Sequence, residues 1–205
     1  MGARENKNVV LALTGGSGAI VAKGLAEALL RMDLSLFFVC SRYGRLMWQE
    51  EMGEPLETTV DEWTDAGSVT TFNPGDMAAP IASGSFPVRA VCVVPCSMAT
   101  AASIATGVGT NLIHRVADVA IKERRPLVVV PRESPLSSIH LRNLLTLSEL
   151  GVTVLPPIPA FYKYPSTVED VVYDVTQRAL VAMGLRDSLP DALQYGPKRF
   201  DTEGN

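Results

Sequence analysis

Four short stretches of this chain put reactive or anion-binding side chains where a turn would expose them. VVLALTGGSGAI, residues Val9 to Ile20, runs from an apolar segment into Gly15, Gly16, Ser17 and Gly18 and leaves through a helical pattern. The Ser17 hydroxyl donates and accepts at once, so it suits a relay to a nitrogen on a flat heterocycle as well as a phosphate; as an ordinary N-cap it would need neither role. A second apolar run opens into Cys96, Ser97, Met98, Ala99 and Thr100 at a helix start. Hydroxyls and unpaired backbone N–H groups there make an anion site without any lysine, although plain capping by Ser97 is the simpler reading. Arg132 and Glu133 follow the apolar stretch Pro126–Val130. Glu133 is a candidate general acid or base if a pocket encloses it, and Arg132 a partner for a phosphate or a ring carbonyl. Arg115 and Lys122 share one face of a helical pattern and could present two positive charges together; a solvated helix end is the alternative for Lys122.

A glycine turn after a first strand commonly marks a dinucleotide fold, which requires G-x-G-x-x-G. Gly16, Ser17 and Gly18 supply the first half, but Val21 stands where the third glycine belongs. The second strand ends in Ser41 and Arg42, a pair able to hold a 2′-phosphate, so an NADP enzyme remains an alternative. A tight turn with no ligand is another.

The elements that must position these residues alternate between apolar runs and helical patterns, the sign of βαβ units. Strands are expected at Val9–Leu13, Ser35–Cys40, Val69–Phe72, Ala90–Val94, Pro126–Val130 and Thr153–Leu155. Helices are expected at Val21–Arg31, Gly44–Glu51, Ala99–Thr106, Leu112–Glu123, Ser138–Leu150 and Val168–Met183. The result is a single α/β domain with a doubly wound, Rossmann- or flavodoxin-like parallel sheet, helices on both faces, and ligands at the carboxyl ends of the strands. That domain is expected to span residues 1–186, with 187–205 a tail that is extended or packed on a neighbouring subunit. The proline-rich Val154–Pro165 is too apolar for a solvated linker and should pack on something.

A chain of 205 residues that is 47% hydrophobic can bury a sizeable core. Its net charge of -4 argues against a nucleic-acid partner. No apolar stretch reaches the roughly 20 residues that cross a bilayer, and the first residues lack a signal-peptide pattern, so a cytoplasmic protein is expected. Three scattered cysteines and two histidines offer neither a disulfide framework nor metal-ligand spacing.

TGGSGA, ASGS (Ala82–Ser85), PCSMAT, the long run ATGVGTNLIHRVADVAIKERRPLVVVPRESPLSSIHLRNLL and AFY (Ala160–Tyr162), in this order, make the chain resemble the flavin prenyltransferases of the UbiX/Pad family over nearly its whole length. The resemblance implies transfer of a dimethylallyl group from dimethylallyl monophosphate to N5 and C6 of reduced FMN, without metal, giving prenylated FMN for a UbiD-type decarboxylase. It implies FMN held by Gly15, Gly16, Ser17, Ser41, Ser97, Met98, Ala99, Thr100 and Arg132. Arg115, Lys122, Tyr162 and Arg178 would hold the donor, and Ser17, Glu51 and Glu133 would handle protons. It further implies a large closed homo-oligomer, often a dodecamer, with sites shared between subunits.

Ionising an allylic phosphate requires basic groups around the leaving group, a proton for it and a π surface beside the cation. The chain has no D-D-x-x-D motif for magnesium, in keeping with a monophosphate donor. One position departs from the family: Met77 stands where a tryptophan is usual, and Trp48 is not spaced to replace it. A decarboxylase of the same superfamily and a flavin carrier are the competing functions. The first is expected to carry a histidine near the first helix, which this chain lacks.

Overall fold

A computed structural model of the chain, describing residues 6–194, pairs six strands in parallel. Continuous apolar runs suit strands covered on both faces. β1 (Asn8–Leu13) lies between β2 (Ser35–Cys40) and β4 (Ala90–Cys96). β3 (Val69–Phe72) is outside β2, while β5 (Leu127–Pro131) and then β6 (Thr153–Val154) are outside β4. The chain therefore winds outward from β1, returns to its other side at β4, and leaves a crevice between those two strand ends.

Among the described residues seven helices cover the sheet: α1 (Ala19–Arg31), α2 (Arg42–Met52), α3 (Leu56–Ala66), α4 (Met98–Thr106), α5 (Leu112–Lys122), α6 (Ser138–Glu149) and α7 (Val168–Ala182). Alternation along β1 divides the core. Val9, Leu11 and Leu13 join a cluster with α1, α7 and the two tryptophans, whereas Val10 and Ala12 join one with α4, α5 and Leu147 of α6. α7 and α5 thus belong to opposite layers, which separates the charged side chains they carry.

The sequence pattern did not anticipate α3. Its signal is Leu56, Thr59 and Trp63, all buried at helical spacing, with Trp63 edge-on to Phe38 at 5.5 Å and to Trp48 at 5.8 Å. Several boundaries also move. α1 starts at Ala19 and α2 at Arg42, because Gly18 and Ser41 are the capping residues. β4 runs past Val94 to Cys96, across an irregularity that lets Cys96 pair with Pro131. The stretch Val154–Pro165 is covered only in part among the described residues: Val154 and Leu155 pack on the two cores, whereas Ile158, Phe161, Tyr162 and Tyr164 are exposed. Of the expected tail, residues 187–194 end in a short turn with Leu193 buried, and 195–205 lie outside the described residues.

Candidate functional site

Thr14, at the end of β1, ties the crevice together. Its backbone N–H and its hydroxyl both donate to the Pro95 carbonyl, at 3.1 and 2.9 Å, and its Oγ1 accepts from the Ser97 N–H at 2.8 Å. At 2% exposure Thr14 is a buried residue whose hydroxyl both donates and accepts, and sequence reading passed over it because one threonine before a glycine turn looks like any turn residue. Thr14→Val should cost about 1–3 kcal/mol, since the half-buried Ser97 N–H loses its acceptor and the Pro95 carbonyl loses a donor. Denaturant unfolding measures this, and an unchanged midpoint would contradict the assignment.

The next residues pack against both flanking loops. A Cβ on Gly15 would stand 2.6 Å from the Tyr43 Cβ, and one on Gly16 3.3 Å from that of Pro95. Gly18, at φ 119°, is the α1 N-cap and provides no side chain for capping. Glu51 on α2 fills that place. Its Oε2 accepts from the Gly18 and Ala19 N–H groups at 2.9 and 2.7 Å, and its Oε1 lies 3.1 Å from the Gly18 nitrogen. A carboxylate therefore occupies the helix terminus where a dinucleotide fold would place its pyrophosphate, and this counts against the NADP alternative. Ser17 is not the N-cap, so its half-buried hydroxyl is left for another partner.

Ser41 does not end β2 as a ligand for a 2′-phosphate. It caps α2, accepting from the Gly44 N–H at 3.0 Å while its own N–H donates to Leu13 at 2.9 Å. Arg42 is the first, exposed residue of that helix.

At the other wall, Ser97 caps α4: its Oγ accepts from the Thr100 N–H at 3.2 Å and donates to the Thr100 Oγ1 at 3.0 Å. The first two helical residues, Met98 and Ala99, have N–H groups that no helical carbonyl can reach. The pairing of Cys96 with Pro131 brings Arg132 alongside this terminus. Glu133 accepts from the Ser134 N–H at 3.0 Å. Both Arg132 and Glu133 are exposed, so the enclosing pocket expected from their place after a buried strand is not made by one chain. Burial pushes the Cys96 thiol up to about 12, which keeps it protonated and poorly nucleophilic.

Tyr162 and Arg178 are brought together by a group the sequence reading missed. Asp174 on α7, its side chain 8% exposed, accepts from Lys163 Nζ at 2.6 Å and from Arg178 Nε at 2.9 Å. Burial alone would push Asp174 up, but the Lys163 and Arg178 hydrogen bonds and charges hold its carboxyl below the ordinary value. The Asp174 bond in turn raises Arg178 against the effect of burial, aided by a hydrogen bond with Tyr162. A depressed carboxylate stabilises the fold above its unfolded value, about 3.9, and the contribution disappears as pH falls through the lower folded value. The stability gap between wild type and Asp174→Asn should therefore narrow as pH drops below about 4. A gap constant from neutral pH to acid would show that the ion pairs contribute nothing.

Arg115 and Lys122 share a face of α5, as their spacing indicates, and both point to the 82–84 segment. Arg115 Nε donates to the Ala82 carbonyl at 3.0 Å and Lys122 Nζ lies beside Gly84, while Asp118 and Glu123 pair with them. Met77 is exposed and lines a cavity of about 230 Å³ with Arg115, Asp118 and His114. Trp48 is fully buried in the opposite layer and cannot stand in for an aromatic ring there. One chain does not bring the α5 cations to Tyr162 and Arg178.

The Flavoprotein family model matches residues 2–180. The flavin prenyltransferase UbiX of Pseudomonas aeruginosa is 41% identical over 194 residues, covering 90% of this chain and 93% of the relative. This chain belongs to the UbiX flavin prenyltransferase family. Among solved members, AnUbiX (PadA1) in complex with FMN and dimethylallyl pyrophosphate superposes with a TM-score of 0.84 at 35% identity, covering 94% of this chain and 98% of that one. The dodecameric FMN-dependent UbiX-like decarboxylase of Escherichia coli O157:H7 superposes with a TM-score of 0.81 at 40% identity, covering 87% and 96%. The crevice fits an FMN for reasons internal to this chain: one helix terminus is closed by Glu51 and the other offers Met98 and Ala99 N–H groups to a single phosphate. No helix among the described residues is long and apolar enough to cross a membrane.

Proposed function

We propose that this chain transfers the dimethylallyl group of dimethylallyl monophosphate to N5 and C6 of reduced FMN and releases prenylated FMN to a UbiD-type decarboxylase. The observation that carries the reading is the contrast between the two helix termini, since it selects a mononucleotide over a dinucleotide. The α4 terminus and Arg132 hold the FMN phosphate, and Gly15, Gly16 and Ser41 shape the wall along the ring. Reduced FMN supplies two nucleophilic ring atoms and a π surface for the allylic cation. Arg115, Lys122, Tyr162 and Arg178 hold the donor phosphate, which leaves with the electron pair of the broken C–O bond. Glu133 gives that phosphate a proton. With FMN bound, Ser17 would relay the proton lost at N5, accepting it as it passes its own hydroxyl proton on to water, and Glu51, committed to Gly18 and Ala19, fixes the loop that carries Ser17.

The donor ligands come from opposite layers of the sheet, so we assign the working form to a cytoplasmic homo-oligomer, a dodecamer, in which subunits complete one another's sites. The exposed Ile139, Leu145, Phe161 and Tyr164 are then covered by neighbours. We take residues 1–186 as the flavoprotein domain and 187–205 as a tail used in assembly, of which 1–5 and 195–205 lie outside the described residues. The test is the mass of the flavin after reduction with FMN and dimethylallyl monophosphate. Gain of one five-carbon unit is expected; an unmodified flavin with loss of carboxylate from an added aromatic acid would favour a decarboxylase.

A further inference from the structure

We infer that Asp174 is a positioning residue for donor binding: its buried carboxylate aims Arg178 and anchors the turn that carries Tyr162. This rests on the functional reading above, in which Arg178 and Tyr162 meet the donor phosphate. The two carboxylate oxygens are divided between two cations, Oδ1 to Lys163 Nζ and Oδ2 to Arg178 Nε. Holding the guanidinium by Nε fixes its plane and leaves Nη donors for a second partner. Arg178 keeps 35% of its side chain exposed, so that remaining edge is accessible. Two cations sharing one anion also leave net positive charge, as a phosphate site requires.

The turn Phe161–Lys163 buries little apolar surface: Phe161 is 75% exposed and the Tyr162 ring is exposed as well, while Lys163 is drawn in to Asp174 and Tyr162 hydrogen-bonds with Arg178, the other cation that Asp174 holds. The start of α7 does not depend on that bond, because Asp170 and Thr167 form its capping box and Asp170 also accepts from Ser166. Asp174 therefore fixes the Tyr162 turn and the Arg178 side chain, not the helix start.

The experiment uses the full-length, FMN-loaded protein. Asp174→Asn keeps the shape but turns an amide N–H2 toward a cation. It should raise the donor KM roughly tenfold or more, since small misplacements of binding groups are costly. FMN affinity should be unchanged, and competition by inorganic phosphate should weaken in parallel. Lys163→Met, which frees the turn while sparing the Arg178 bond, should raise KM by less; it also provides the test if the asparagine variant fails to fold. A lowered melting temperature with donor KM and phosphate competition at wild-type values would overturn the inference and leave Asp174 a structural residue. Absence of prenyl transfer by wild type would instead sink the functional reading, and phosphate affinity measured calorimetrically on wild type and Asp174→Asn would then judge Asp174 alone. Equal affinities would reject it.

Discussion

Glu133→Gln should bind FMN like wild type and form prenylated flavin slower by on the order of a hundredfold or more, the usual loss when a positioned proton donor is removed. Glutamine keeps size and hydrogen bonding but cannot protonate a departing phosphate. Ser17→Ala should show a comparable loss for a different reason. The serine is not used as the α1 cap, so its removal leaves the helix terminus, held by Glu51, intact while breaking the proton relay at N5. FMN retention is expected in both because the α4 terminus and Arg132 are untouched. Single-turnover absorbance with mass analysis separates the outcomes. Wild-type rates would remove both residues from the mechanism, and loss of FMN would mean that they build the site instead of acting in it.

The parallel sheet and nearly all of its elements were legible because each is announced by a local pattern: a continuous apolar run for a strand, a 3.6-residue period for a helix. The glycine loop and the PCSMAT helix start were legible for the same reason, being short stretches whose turn chemistry is local. What escaped depends on distant partners. Thr14 matters through Pro95 on another strand and Ser97 just after it, and Asp174 through Lys163, across a loop. Glu51 was singled out, but the family resemblance could not say that its carboxylate would close the α1 terminus. Helix α3 was missed because Leu56, Thr59 and Trp63 are few apolar markers in a charged segment. The single chain leaves Glu133 exposed for a different reason, since proximity to a buried strand says nothing of what lies beyond the strand's end.

Assemblies of Lys122→Ala alone and of Arg178→Ala alone should each be nearly inactive, yet an assembly formed from an equal mixture of the two should regain activity. Lys122 ends α5, in the layer with α4 and α6, while Arg178 sits on α7, in the layer with α1. The sheet therefore lies between the helix that carries Lys122 and the helix that carries Arg178 in one chain. If one site draws Lys122 from one subunit and Arg178 from another, random mixing leaves both intact in about a quarter of the sites. Activity should therefore rise from near background to about a quarter of wild type, a large change produced without restoring any single chain. Mixing after assembly, with no exchange of subunits, should produce nothing. Persistent inactivity in co-refolded mixtures whose mixed composition is verified by tags would mean that both cations come from one chain, and the shared site would have to be abandoned.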